Sequence, residues 1–238
     1  MKSTGIGSIV LSVLLLSALT SCRKEKNTVV DPGYNYFPNN VGHYVVYDVD
    51  SIVYDDFNST VDTFKFQLKE YIQSIFMDNA NRPTQRIERY KRKFNKSVSY
   101  TLIPWVLQDV WSANLTNAAA EKVEENQRFV KLVFAVSKNK TWNGNAQNTL
   151  GAQDYKYTFV HEPAFIGGTN FDSALVVTQL DKENLIEKQS YYEVYAKNTG
   201  MVSKQVIDVK SKTITIDPIM ERITSGLIYR ATYNSSGN

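Results

Sequence analysis

Cysteine is almost absent from this chain: Cys22 is the only one among 238 residues. A disulfide framework is therefore excluded, as is any zinc site built on several thiolates. Histidine is nearly as scarce. His43 and His161 are too few for a three-histidine metal site, and neither lies in an H-E-x-x-H pattern. The 11 glycines and 6 prolines rule out collagen-like and linker-dominated architectures. No P-loop, dinucleotide glycine pattern or G-x-S-x-G elbow is present, so no cofactor is implied. Charge of one sign is also missing: the formal net charge is only +3. Such a balanced chain gives no ground for nucleic-acid binding. Long apolar runs are confined to the stretch Ser3 to Cys22, densest from Ile9 to Leu16.

What the chain has in abundance is aromatic side chains, 15 Tyr, 11 Phe and 3 Trp, which favour β-structure. The dominant hydrophobic period is two. Val45, Tyr47, Val49 and Val53 share one face opposite Asp48 and Asp50, and Phe64, Phe66, Leu68 and Ile72 oppose Lys65, Gln67 and Lys69. Further strands are predicted at 84–94, 102–111, 128–137, 153–161, 171–180, 190–197, 201–210, 212–217 and 226–234. The separators carry turn residues such as Asn143-Gly144, Gly167-Gly168 and Asn198-Thr199-Gly200. One helix is predicted from Asn114 to Asn126, around Ala118-Ala119-Ala120 with Thr116 or Asn117 as cap. The fold class expected is mainly β: a large antiparallel curved sheet of about ten strands with one short helix, arranged as a β-sandwich or half-barrel. Polar residues 23–40 read as a tether, which puts the start of a single domain at Val41-Gly42 and its end at residue 238.

The N-terminus has the parts of an export signal: Lys2, an apolar stretch, and small residues before Cys22. Leu19-Thr20-Ser21-Cys22 resembles the bacterial lipobox. The resemblance implies that residues 1–21 are removed, that Cys22 receives a diacylglyceryl group, and that the chain is held on a membrane by its acyl chains. Loss of Lys2 leaves a formal net charge of +2. Arg23 occupies the second mature position, where the inner-membrane retention signal has Asp, which favours outer-membrane sorting, with periplasmic face and cell surface both open.

Several constellations carry potential chemistry. The segment Asn81 to Lys96 holds seven cationic residues against Glu88 alone. Alternation puts Arg86 and Arg92 on one face and Arg89, Lys91 and Lys93 on the other. Charge on both faces is expected of an exposed or edge strand; the functional alternative is an anion-binding strip facing lipid phosphates or acidic glycan. Asp56-x-Asn58-x-Thr60-x-Asp62 begins like a calcium loop, but Val61 occupies the required glycine position and Gln67 the terminal acid position, so an EF-hand is rejected. His161-Glu162 is the best proton-transfer pair available to an enzyme. Tyr155, Tyr157 and Phe159 on one strand, and Trp105 and Trp111 with Leu107 on another, either fill a core or line a ligand site.

The strand Val41-Gly42-His43-Tyr44-Val45-Val46-Tyr47 and the element Tyr195-Ala196-Lys197-Asn198-Thr199-Gly200-Met201-Val202 resemble those of uncharacterised Bacteroidota lipoproteins. That likeness implies an address and an architecture. Lipobox, aromatic strands and one helix together are also similar in shape to the lipoprotein-localisation factors. The expected function is an outer-membrane-anchored lipoprotein, acting as a non-catalytic binding or envelope-structural module. The alternative is a carrier of a lipid or other apolar ligand in a curved sheet, and the third is an enzyme of unknown class. Expected partners are the membrane, through the anchor, and a lipid, glycan or envelope protein.

Overall fold

The computed structural model describes residues 31–238; the signal, the lipobox and Cys22 lie outside the described residues. Pro32–Asn238 form one compact unit. It contains the twelve strands found among the described residues.

The strands are β1 (Tyr44–Asp55), β2 (Thr60–Met77), β3 (Pro83–Lys93), β4 (Val106–Leu115), β5 (Ala119–Glu124), β6 (Gln127–Val133), β7 (Thr141–Asn143), β8 (Asp154–Ile166), β9 (Thr169–Glu183), β10 (Glu187–Ala196), β11 (Gly200–Lys210) and β12 (Ser225–Gly237). They form one antiparallel sheet in the order β6-β5-β4-β3-β2-β1-β12-β11-β10-β9-β8-β7. Neighbours in sequence are neighbours in space, and the pairing of β1 with β12 joins the first strand to the last. The two outer strands of the sheet, β6 and β7, nearly meet. The Val130 amide donates to the Gly144 carbonyl at 2.8 Å, and the Trp142 indole donates to the Val130 carbonyl at 2.8 Å. The Tyr157 hydroxyl also spans this seam, bonding both the amide and the carbonyl of Val133 at 2.9 Å. One curved sheet nearly closed into a barrel is thus what the period-two pattern builds; it is not split into a sandwich.

The barrel has two unlike ends. At one, the 3-10 turn Tyr34–Tyr36 inserts as a plug, with Tyr36 and Phe37 buried among Ile72, Ile87, Leu132, Tyr157, Leu175 and Tyr195. The compact unit therefore begins at Pro32 rather than at Val41, because two aromatics of the expected tether are core residues. Towards the other end β5 and β6 stop short while β2, β3, β10 and β11 continue, which leaves the wall open on one side.

Three further expectations are corrected. Asn114 to Asn126 is the end of β4, a turn and the β5 strand, not a helix; among the described residues the only helical pieces are 3-10 turns. The Thr116 hydroxyl accepts from the amides of Ala118 and Ala119, so it caps a hairpin turn, and Ala120 is paired with Leu132. Pairing on both edges outweighs the weak helical preference of three alanines. Residues 212–217 belong to an irregular connection whose continuation, Ile219 to Ile223, covers Ile207, Val209 and Ile228 on the outer face. Finally, β3 is no edge strand; it lies between β2 and β4.

Candidate functional site

Strand alternation points Tyr47 of β1, Leu68 and Glu70 of β2, Ile87 and Arg89 of β3, Trp111 of β4, Tyr195 and Glu193 of β10 and Lys204 of β11 into the barrel. Apolar side chains occupy the plugged end, where only a cleft of about 70 Å³ is left. Below them lies a layer of charge. Glu193, with no exposed surface, meets Lys131 at 2.6 Å and Lys204 at 3.2 Å. Glu124 faces Lys131 at 3.3 Å and Lys204 at 3.7 Å. Glu70 binds Lys122 at 2.7 Å and Arg89 at 3.3 Å, and Arg89 also holds Asp109 at 3.0 Å. The Tyr195 hydroxyl donates to Glu193 at 2.7 Å.

Burial alone would favour the neutral form of each of these groups. For Glu124 it is outweighed by the ammonium groups of Lys131, Lys204 and Lys122, which hold the carboxyl well below the usual range. Glu193 is likewise held down to about 2 by Lys131 and Lys204 against its burial. Glu70 is lowered, with Lys122 and Arg89 overcoming desolvation. Lys131 and Lys204 are raised for the reciprocal reason, since Glu124 and Glu193 overcome their burial. Glu70, Glu124, Glu193, Lys131 and Lys204 stay charged across the neutral range.

Glu70, Arg89, Lys122, Glu124 and Lys204 of this layer form the floor of a cavity of about 290 Å³, walled by Leu68, Met201, Val206, Leu227, Tyr229 and Trp111. The Arg89 guanidinium lies 3.5 Å from the centre of the Trp111 ring. The buried Trp111 Nε1 donor has no hydrogen-bond partner, and Arg89 Nε meets Glu70 only as an ion pair at 3.3 Å. From Arg89 the inner face of β3 continues outward through Lys91 and Lys93, which stand opposite Leu68 and Phe66. There a groove of about 600 Å³ is lined by Phe64, Phe66, Lys91, Lys93, Phe94 and Lys96. The Lys91 ammonium sits 3.8 Å from the centre of the Phe66 ring.

The residues singled out in the sequence are divided by this geometry. Arg89, Lys91 and Lys93 are inside, as alternation requires. Arg86 and Arg92 are outside: Arg86 pairs with Glu88 at 3.4 Å, and Arg92 holds the Gln67 side chain at 2.6 Å. The five cations are therefore not one strip. Tyr155 and Tyr157 are buried, but Phe159 is not beside them. A bulge between Tyr157 and Phe159 turns Phe159 to the outer face, opposite Val176 and 48% exposed. Trp111 and Trp105 are parted too. The bulge at Gln108 sets Leu107 opposite Tyr90 on the outer face, where Trp105 stacks on Arg92 at 4.2 Å. Of the expected ligand-lining set, Trp111 alone reaches the 290 Å³ cavity. His161 bonds the Tyr36 hydroxyl at 2.8 Å while Glu162 pairs with Lys138 at 3.6 Å, so they form no pair. The Asp55 carboxylate caps its own turn through Phe57, and Asp56 meets Lys212 at 2.6 Å.

Sequence reasoning missed Glu70, Lys122, Glu124, Lys131, Glu193 and Lys204. The available signal was a charge interrupting an apolar alternation, as in Leu68-x-Glu70-x-Ile72 and Tyr191-x-Glu193-x-Tyr195.

Compared with known proteins, the chain matches no family model and no curated protein. Two solved structures are similar. One is a protein described as exported, with a YmcC-like fold, from Bacteroides fragilis NCTC 9343, at 8% identity and a TM-score of 0.47 over 85% of this chain and 98% of that one. The other is described as a lipoprotein from Parabacteroides distasonis ATCC 8503, at 10% identity and a TM-score of 0.40 over the same shares.

Proposed function

We propose that this chain is a lipid-anchored lipoprotein of the outer membrane that works as a non-catalytic binding module, taking a ligand into the open half of its barrel. The anchor rests on the lipobox-like Leu19-Thr20-Ser21-Cys22. The observation that carries the binding role is the set of buried ion pairs, Glu70 with Lys122 and Arg89 and Glu124 with Lys204, that forms the floor of an open cavity. Ion pairs in such a place are commonly no more stabilising than well-packed aliphatic side chains of the same volume. A barrel that needed only to fold would have continued its apolar core downward; here polar groups are presented at the bottom of an accessible hollow. The non-catalytic part is supported by protonation: Glu70, Glu124 and Glu193 stay ionised and Lys131 and Lys204 stay protonated near neutrality. None of them is poised to exchange a proton there.

The carrier reading is a specialisation of this one, favoured by the apolar walls Val206, Leu227 and Phe66 above the charged floor. Native mass spectrometry of the chain released from its own envelope in mild detergent tests the proposal. The expected spectrum shows a tri-acylated or diacylated N-terminus and a second, non-covalent mass of small-molecule size. A chain with no bound mass after gentle release, and no saturable binding of any probe, would refute the binding role.

A further inference from the structure

The ligand's chemistry is legible in the groove that continues the cavity along β2 and β3. We propose that this groove binds an anionic amphiphile, with a phosphate or carboxylate held by Lys91, Lys93 and Lys96 and an apolar chain lying over Phe64 and Phe66. The inference rests on the binding reading above and deepens it.

Three observations converge. First, the three lysines line the groove of about 600 Å³, a volume within the range of small-molecule sites. Lys65, in the same lining, is occupied by Asp50 at 3.4 Å, and Arg89 above it by Glu70 and Asp109. Lys91, Lys93 and Lys96 form no ion pair among the described residues. Secondly, the cations follow one another on the inner face of β3, Arg89 then Lys91 then Lys93, about 7 Å apart for each pair of residues. Like charges at that spacing repel, and the strain is visible at Lys91, whose ammonium is made more acidic by burial and by Lys93 and Arg89. An anion there would relieve it. Thirdly, the groove is amphipathic. Phe64 is 53% and Phe94 47% exposed, leaving aromatic surface in contact with water beside the lysines. At the inner end, the unpartnered Trp111 Nε1 adds a donor and no acceptor. Spare hydrogen-bonding capacity is on the donor side, as an oxygen-rich head requires.

The test is equilibrium binding to residues 23–238, which contain the whole compact unit, followed by calorimetry and by intrinsic tryptophan fluorescence, to which Trp111 contributes. The probes are dodecyl phosphate, dodecanoate, dodecyltrimethylammonium, dodecyl maltoside and inorganic phosphate, with the amphiphiles held below micelle formation. Dodecyl phosphate and dodecanoate are expected to bind saturably, one per chain, and inorganic phosphate at least tenfold more weakly. Lys91→Gln with Lys93→Gln, both away from the buried charge layer, is expected to weaken the two anions about tenfold or more, equivalent to about 1.4 kcal/mol or more. Phe159→Ser on the outer face is expected to leave binding unchanged. Equal binding of the cationic or maltoside probe, or wild-type affinity in the double variant, overturns the anionic head. Inorganic phosphate binding as tightly as dodecyl phosphate overturns the apolar half. If the maltoside binds and the anions do not, this inference fails while the binding module stands; if no probe binds and no mass co-purifies, both fail.

Discussion

Replacing Glu193 by Gln keeps the volume of the side chain and removes its charge, which makes it the sharpest probe of the buried layer. In the native barrel Glu193 is fully buried, 2.6 Å from Lys131 and 3.2 Å from Lys204, with the Tyr195 hydroxyl 2.7 Å away. Once it is neutral, Lys131 and Lys204 share only Glu124, at 3.3 and 3.7 Å. Breaking a buried pair by removing one partner costs about 3–5 kcal/mol, because the other charge stays desolvated. For a domain of this size that lowers Tm by roughly 10 °C. Urea unfolding followed by circular dichroism measures it. Adding Lys131→Met should recover about half of the loss or more, since the surplus cation leaves with it. The pH dependence supplies an independent check. Glu193 has a folded pKa of about 2 against an ordinary 4.5, so its contribution is complete above the higher value and is lost as pH falls towards the lower one. The Gln variant should therefore show a flatter stability curve between about pH 5 and pH 2 than the native chain. A cost below about 1 kcal/mol, with additive behaviour in the double variant, would refute the reasoning: Lys131 and Lys204 would then be hydrated, and the layer would not be a desolvated floor.

Tyr157→Phe should cost about 1–3 kcal/mol, because it strands both the amide and the carbonyl of Val133 at the seam between β6 and β8; thermal melts and hydrogen exchange at Val133 measure it. Gly226→Ala should prevent soluble expression or lower Tm sharply. Gly226 has φ +123°, and a Cβ there would lie 2.1 Å from the Asp208 carbonyl oxygen. Cys22→Ser should abolish incorporation of labelled palmitate and release the chain from the membrane fraction; continued labelling would sink the lipobox reading.

The open half of the barrel explains why β3 is charged on both faces without being an edge. Its inner face meets water and the cavity, while its outer face lies under the connection that carries Tyr100 and Trp105. The same strand shows how far local pattern reaches. Alternation alone separates Arg86 and Arg92 from Arg89, Lys91 and Lys93, and the pairing of β2 with β3 keeps that separation. It fails where a residue is inserted. Gln108 reverses Leu107 relative to Trp111, and the bulge after Tyr157 expels Phe159 from the inner face.

By itself, then, the sequence determined an antiparallel, aromatic-rich sheet and most of its strands, because a period of two is written in successive residues and needs no partner to be read. Only the tertiary structure decided the plug, the seam and the charged floor. Tyr36 looks like part of a polar tether until it is seen inside the barrel. Lys131 and Glu193 are 62 residues apart, and although Glu193 interrupts an apolar alternation, nothing local says which charge it meets. Their meeting depends on closing a twelve-strand sheet on itself, an arrangement fixed by non-local hydrogen bonding and burial, to which the order of residues along one strand is blind.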